Sequence, residues 1–130
     1  MRMLALCLTL AAQPLAAQTP MGAEAFEAYT EGRTLTFSAD GQLYGAEEYR
    51  PGRRVRWSFL DGDCLEGRWY PEGDRICFVY EDLRGPRCWT FWREAGGLGA
   101  RFAGDPAGST LYETAASDEP LDCPGPKVGV

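Results

Sequence analysis

Large apolar and polar residues alternate along the chain between Arg53 and Arg93, and clusters of Gly, Pro and Asp interrupt the alternation. The interruptions fall at Asp61–Asp63, Pro71–Asp74 and Asp82–Pro86. A period of two residues bounded by such clusters is typical of antiparallel strands joined by hairpin loops. The segment therefore predicts four consecutive strands.

The lengths of the first two interruptions predict how these strands pair. A three-residue loop would place Leu60 opposite Cys64, and a four-residue turn would place Trp69 opposite Ile76. A shift of one residue in either pairing would move every side chain of a strand to the other face of the sheet. We expect this register because it gathers the large apolar residues on a single face.

One face of the predicted ribbon is aromatic, and the other carries cysteines. The third turn places Cys77 opposite Cys88, and Cys64 shares their face. The apolar face holds Val55, Trp57, Phe59, Leu65, Trp69, Ile76, Phe78, Tyr80, Trp89 and Phe91. Because each aromatic side chain buries about 150–250 Å², this face is predicted to form the core. An aromatic platform on which a ligand stacks is the alternative.

The rest of the chain adds a helix and further strands. Apolar residues at helical spacing predict a helix at Met21–Glu31, ended by Gly32 and able to plug one end of a barrel. Strands are predicted at Thr34–Phe37, Leu43–Tyr49, Leu98–Phe102 and Ser109–Glu113. Eight short strands in hairpin order predict an all-β antiparallel meander that closes into a small up-and-down barrel. A strongly curved or twisted open sheet with the helix against one face is the alternative.

Three segments organise the chain. Residues 1–17 combine Arg2, an apolar run too short to span a bilayer and a small-residue end, which predicts a secretory signal peptide cleaved after Ala17. Residues 18–113 form the predicted helix and meander, and residues 114–130 form an irregular tail tethered by Cys123. The signal peptide predicts a periplasmic or secreted protein.

The remaining four cysteines predict two disulfides, because an even number in a small exported domain is typical of a disulfide framework. Four cysteines allow three pairings. Cys77 and Cys88 oppose each other on neighbouring strands, which leaves Cys64 for Cys123. A four-cysteine zinc site is the competing interpretation, but the chain lacks the CxxC spacing of such sites. We predict no metal and no cofactor.

The exported chain is acidic, with 12 basic and 19 acidic residues after removal of the signal peptide. This balance argues against nucleic acid and anionic membranes as partners. One basic concentration stands out, and it is either a solvated strand face or a patch for an anion or an acidic partner. It consists of Arg53, Arg54, Arg56 and Arg68. We expect a monomer without a membrane span.

The absence of histidine excludes Ser-His-Asp and Cys-His nucleophilic sites and histidine-ligated metals. Paired carboxylates remain as candidates for glycoside hydrolysis, which needs two carboxyl groups about 5–9.5 Å apart across a cleft. The pairs are Glu47 with Glu48, Asp61 with Asp63, and Glu81 with Asp82. The last two pairs lie in turns, where acidic residues are common for backbone reasons. We therefore predict no catalytic residue and no enzymatic activity.

Several segments resemble small secreted alphaproteobacterial proteins that are classified only as a domain of unknown function. The resemblance covers roughly Ala23–Glu113. It is carried by the helix, the GRTLTF segment, Gly67–Trp69, and the strand pair bearing Cys77 and Cys88. It implies a periplasmic location and no particular activity.

The chain is similar, more weakly, to two families of small periplasmic β-barrel inhibitors. One inhibits secreted metalloproteases through a mobile N-terminal arm. The other inhibits C-type lysozymes, and its glycine-alanine-arginine-aromatic stretch is similar to Gly99–Phe102. Leu98 stands where that family has serine, and the lysine of that family is absent downstream.

Taken together, the sequence predicts an exported, non-enzymatic binding or inhibitor-like module whose partner is another exported protein. A lipocalin-like carrier of a small apolar ligand is the alternative, and a carboxylate-based glycosidase ranks third. A carrier requires an internal cavity that admits a ligand. An inhibitor instead requires a filled barrel with a projecting loop or arm, and a glycosidase requires two carboxylates that converge in a cleft.

Overall fold

The computed structural model describes residues 18–124, and the signal peptide predicted at residues 1–17 lies outside that range. The described chain contains one α-helix, α1 (Ala23–Thr30), a short 3-10 helix (Pro51–Arg53) and eight strands. The strands are β1 (Thr34–Ala39), β2 (Gln42–Arg50), β3 (Arg54–Ser58), β4 (Cys64–Glu72), β5 (Arg75–Tyr80), β6 (Arg87–Glu94), β7 (Gly97–Phe102) and β8 (Leu111–Ser117). Consecutive strands pair antiparallel and β8 pairs with β1, so the sheet forms a closed barrel. The predicted barrel is confirmed, and the open-sheet alternative is wrong.

The ends of the outer strands follow from turn geometry and from closure of the barrel. Asp40 (φ 51°) and Gly41 (φ 78°) both adopt the left-handed conformation that a tight hairpin of the I′ type requires. β8 continues to Ser117, where it pairs with Thr34 at the start of β1. The first residues of the predicted irregular tail are therefore strand, because they supply hydrogen-bond partners that β1 would otherwise lack.

The predicted pairing of Leu60 with Cys64 is wrong by two residues, because Ser58 is the residue that pairs with Cys64. Leu60 has a positive φ of 67°. Its backbone N–H donates to Ser58 Oγ at 2.9 Å. These local interactions end β3 early, so the connection to β4 spans residues 59–63 instead of 61–63.

The predicted pairing of Trp69 with Ile76 is also wrong by two residues, because Trp69 pairs with Phe78. A tight turn at Gly73 and Asp74 joins β4 to β5, and Gly73 supplies the positive φ of 57°. Side chains alternate with a period of two, so an even shift leaves each residue on its predicted face. The predicted aromatic face accordingly points into the barrel and supplies six of the fourteen buried core residues, whereas Phe59, predicted on the same face, is 52% exposed.

Two disulfides hold the outside of the barrel. Cys77 pairs directly with Cys88 across β5 and β6, with Cα atoms 3.9 Å apart, and the two are bonded. Cys64 is bonded to Cys123, which ties the segment after β8 to the start of β4. Both predicted pairings are confirmed, and the zinc alternative is wrong because the thiols it needs are consumed. Disulfides indicate an oxidising environment outside the cytoplasm.

Helix α1 plugs one end of the barrel, as its apolar residues predicted. Phe26 is fully buried, and its ring centroid lies 5.1 Å from that of Trp69 and 4.7 Å from that of Phe91. Gly32 (φ 81°) ends the helix, and its N–H donates to the Tyr49 carbonyl oxygen at 2.9 Å. No helix within residues 18–124 is long and apolar enough to cross a membrane.

Polar contacts hold α1 in this position. The Tyr29 hydroxyl donates to Glu113 Oε2 at 2.8 Å, and Arg53 Nη2 lies 3.1 Å from Glu27 Oε2. The guanidinium of Arg93 lies 4.1 Å from the centre of the Tyr29 ring. These contacts close the end of the barrel at which β2 ends and β3 begins. The interior therefore opens at the other end, where the connections after β1, β3, β5 and β7 lie.

Candidate functional site

A cavity of about 560 Å³ occupies the open half of the barrel. This volume lies within the range of about 300–1,000 Å³ that is usual for small-molecule sites. Tyr49, Phe78 and Phe91 form its floor, and the same three rings contact Phe26 of the helix plug. Ten of the lining residues are aromatic: Phe37, Tyr44, Tyr49, Trp57, Phe59, Phe78, Tyr80, Trp89, Phe91 and Phe102.

Three aromatic side chains form one side of the mouth. Trp57 lies 5.7 Å from Tyr44 and 5.4 Å from Phe59 between ring centroids, and Phe59 is 52% exposed. Tyr44 reaches this position because a β-bulge interrupts the pairing of β1 with β2 there. Gly45 provides the space, since a Cβ atom at this residue would overlap the indole of Trp57. Exposed aromatic side chains at a cavity rim are typical of a binding site.

The remainder of the mouth comes from the connections at the open end. Leu83 from the β5–β6 connection is half-buried and contributes an apolar side chain, and Arg87 at the start of β6 lies beside it. Asp105 and Ser109 line the cavity from the β7–β8 connection. The Ser109 hydroxyl donates to Asp40 Oδ2 at 2.5 Å, which joins this connection to the β1–β2 turn.

Glu47 is an acidic residue inside the barrel, and burial strongly changes the pKa of its carboxyl group. It is 2% exposed, lines the cavity and accepts a hydrogen bond at Oε1 from the Tyr80 hydroxyl at 2.6 Å. Its second oxygen, Oε2, has no hydrogen-bond partner among residues 18–124. Burial raises the pKa of Glu47 well above its usual range, and the hydrogen bond from Tyr80 opposes this rise only in part.

The two tyrosines beside Glu47 complete a small polar group in an otherwise apolar cavity. Burial raises the pKa of Tyr80, and the charge of Glu47 together with its hydrogen bond raises it further. Burial, followed by the charges of Glu47 and Glu113, raises the pKa of Tyr49 in the same direction. Both phenols therefore stay protonated at neutral pH and remain hydrogen-bond donors.

Two of the four arginines in the predicted patch form ion pairs, and the other two are exposed. Arg53 forms its ion pair with the helix and stacks 4.6 Å from the centre of the Trp69 ring. Arg56 Nε donates to Glu66 Oε1 at 2.6 Å on the outer face of the barrel. Arg54 and Arg68 are exposed and oppose each other across β3 and β4. Arg54, Arg56 and Arg68 thus share the outer face of β3 and β4, whereas Arg53 contacts the helix, and a patch for an anion or an acidic partner stays a prediction.

The first predicted carboxylate pair, Glu47 with Glu48, is separated by the barrel wall. Glu48 lies on the outer face, where Arg50 Nε donates to its Oε2 at 2.9 Å. In the second pair, the N–H of Asp63 donates to Asp61 Oδ1 at 3.2 Å, which is a turn-stabilising interaction. Neither pair has both carboxyl groups in the cavity.

The third pair, Glu81 with Asp82, lies in the connection after β5, and one of its carboxylates accepts a hydrogen bond from the backbone. Glu81 Oε1 accepts a hydrogen bond from the N–H of Glu66 at 3.5 Å, and Asp82 is exposed. Of the six carboxyl groups in the predicted pairs, the one that lines the cavity is that of Glu47. The signal for it was present in the alternation of β2, where Glu47 occupies an inward position between Gly45 and Tyr49.

Comparisons of the chain with protein-family models, curated proteins and solved structures find no match. The cavity and the residues that line it are therefore the basis on which function is inferred.

Proposed function

We propose that this protein binds and carries a small, largely apolar molecule inside its barrel. The observation that carries the proposal is the cavity of about 560 Å³, open at one end and lined mainly by aromatic side chains. Small-molecule sites are typically concave and apolar, with a few polar groups that orient the ligand. Glu47, Tyr49 and Tyr80 are such groups here. The disulfides and the predicted signal peptide favour the periplasm as the place where binding occurs.

The cavity favours a carrier function over the inhibitor-like function that the sequence analysis predicted first. An inhibitor of this size acts through a segment that projects into its target, whereas the N-terminal helix of this barrel is packed into the end wall through Phe26. The connections at the open end have two to eight residues, and their apolar side chains Phe59 and Leu83 line the cavity mouth. We therefore propose the carrier first and keep inhibition of an exported protein second.

Calorimetric titration with a neutral probe, 2-(2-naphthyl)ethanol, tests the proposal. We expect saturable binding of one molecule per chain. Ala100 lies on the cavity wall, so Ala100→Phe should fill the space and weaken binding at least tenfold, which corresponds to about 1.4 kcal/mol. Ala95 lies in the exposed turn at the closed end, and Ala95→Phe is the matched control that should bind as the unaltered protein does.

The location of the probe is checked without any substitution by nuclear magnetic resonance. Saturating probe should shift the indole N–H signals of Trp57 and Trp89, which line the cavity, more than that of Trp92 on the outer face. Equal shifts of all three signals, or a lack of saturable binding by this probe and by its amine and acid counterparts, would overturn the proposal.

A further inference from the structure

We infer that the ligand is an amine with an apolar body, and that its ammonium group donates a hydrogen bond to Glu47 Oε2 inside the cavity. The inference rests on the proposed carrier function and names the class of molecule that the cavity takes. It is carried by the position of one buried carboxyl group, by the aromatic wall around it and by the charges at the mouth.

The first observation is an unmet hydrogen-bonding requirement. Glu47 is 2% exposed, and while its Oε1 accepts from Tyr80, its Oε2 has no partner within residues 18–124. Native proteins leave few buried polar atoms unpaired, and those that remain call for an explanation, such as a functional role or an interaction with a water molecule or an ion. Because Glu47 is part of the cavity wall, a ligand N–H group in the cavity is the partner that this oxygen lacks.

The second observation is that the barrel interior offers Glu47 no compensating positive charge. Arg87 is the basic residue among those that line the cavity; it is exposed at the mouth and forms no ion pair with Glu47 in the described structure. Burial raises the pKa of Glu47 because it removes water from the carboxylate, and an ammonium group at Oε2 would lower the pKa by supplying the opposite charge. A neutral alcohol would satisfy the hydrogen bond but would not stabilise the charged form of Glu47.

The third observation is the chemistry of the wall. The faces of aromatic rings attract cations, and amine ligands are commonly held in cages of such rings. The rings of Tyr80 and Phe78 stack 6.2 Å apart beside Glu47, and Trp57 pairs with Glu47 across β2 and β3. The same surfaces bury the apolar body of the ligand. An anionic ligand would meet the negative faces of these rings and a carboxyl group.

The fourth observation is an excess of acidic residues around the mouth. The connections at the open end, together with the first residue of β6, carry six carboxylates and two arginines. They are Asp40, Asp61, Asp63, Glu81, Asp82 and Asp105, against Arg84 and Arg87. An excess of one sign of charge near a cleft raises the local concentration of ligands of the opposite sign. A cationic ligand is therefore drawn to the mouth before it reaches Glu47.

Three ligands that share one apolar body test the inference in the full exported chain. They are 2-(2-naphthyl)ethylamine, 2-(2-naphthyl)ethanol and 2-naphthylacetate, each titrated by calorimetry near neutral pH. We expect the amine to bind at least tenfold more tightly than the alcohol, and the acid to bind more weakly than the alcohol. This order is measured on the unaltered protein, so it does not depend on whether a variant folds.

Two neighbouring substitutions then locate the preference. Glu47→Gln keeps the size of the side chain and an acceptor for the Tyr80 hydroxyl, and should abolish the preference for the amine over the alcohol. Glu48→Gln removes a carboxylate one residue away on the outer face and should retain the preference. An equal loss in both variants would show that the general negative charge of the protein attracts the amine, and would overturn the role of Glu47.

The outcomes separate the two proposals. If the alcohol binds and the amine binds no better, the inference about the ligand class fails and the carrier function stands. If none of the three ligands binds, the carrier function fails, and the inference falls with it.

Discussion

Glu47 and Glu48 are consecutive in the sequence and lie on opposite sides of the barrel wall. Glu47 is buried in the cavity with Tyr80, whereas Glu48 is on the outer face with Arg50. One step along a strand turns the side chain to the other face of the sheet. The consequence is that two chemically identical residues have different surroundings, and that substituting each of them gives a matched pair of experiments.

The first prediction concerns the pH dependence of stability. Burial raises the pKa of Glu47 in the folded state, so the folded protein retains this proton at pH values at which the unfolded chain loses it. Over that interval the contribution of Glu47 to the free energy of unfolding falls by about 1.4 kcal/mol per pH unit. Glu47→Gln does not titrate, and we expect its stability relative to the unaltered protein to increase as the pH rises from about 4 toward 8.

Urea unfolding at a series of pH values measures this difference. The gain in stability of Glu47→Gln should grow through the acidic range and level off above the folded-state pKa of Glu47. Glu48→Gln, which removes a carboxylate from the solvent side of the same strand, is the control and should not reproduce the trend. A gain that is constant across the pH range would contradict the assigned burial of Glu47.

The second prediction concerns the two disulfides. Cys64–Cys123 closes a loop with a sequence separation of 59, and Cys77–Cys88 one with a separation of 11. In the chain-entropy account the longer loop restricts the unfolded chain more, which gives about 4 kcal/mol for the first bond and about 3 kcal/mol for the second. We expect replacement of Cys64 and Cys123 by alanine to lower the free energy of unfolding more than replacement of the other pair.

Urea unfolding of the two double-alanine variants, compared with the unaltered protein, checks this order. Cys77 is fully buried, so its replacement by alanine also removes packing contacts. This additional loss in the free energy of unfolding acts against the predicted order. A larger loss in the Cys77 and Cys88 variant would show that local packing outweighs the constraint on the tail.

The third prediction concerns the helix plug. Phe26 is fully buried against Tyr49, Trp69 and Phe91, and its removal would leave a cavity in the closed end of the barrel. We expect Phe26→Ala to lower the free energy of unfolding by about 3–5 kcal/mol. Glu24→Ala, at an exposed position of the same helix, should change it by less than about 0.5 kcal/mol.

Equilibrium urea unfolding followed by tryptophan fluorescence measures both variants. Similar losses in Phe26→Ala and Glu24→Ala would mean that the helix does not pack into the barrel as described. Phe26→Leu gives an intermediate case, since it retains an apolar side chain of reduced size, and should cost less than the alanine variant.

Strand faces were predictable from the sequence, and strand register was predictable only in part. The pairing of Cys77 with Cys88 is as expected, whereas the pairings of Cys64 and Trp69 differ from expectation by two residues each. The alternation of apolar and polar residues is unchanged by an even shift, so it cannot distinguish such registers. The backbone conformation of Leu60 and the tight turn at Gly73 decide between them.

The local alternation of residues was sufficient to determine the strands and the inward aromatic face, because both depend on contacts between near neighbours along the chain. Cys77 and Cys88 on neighbouring strands determined one disulfide, and elimination assigned Cys64 to Cys123 across a sequence separation of 59. The cavity depends instead on how much of the interior eight strands and one helix leave unfilled once the barrel closes. Tertiary structure alone decided the cavity volume, the burial of Glu47 and the lack of a partner for its Oε2 among residues 18–124. Free volume and desolvation are properties of the whole assembly of side chains.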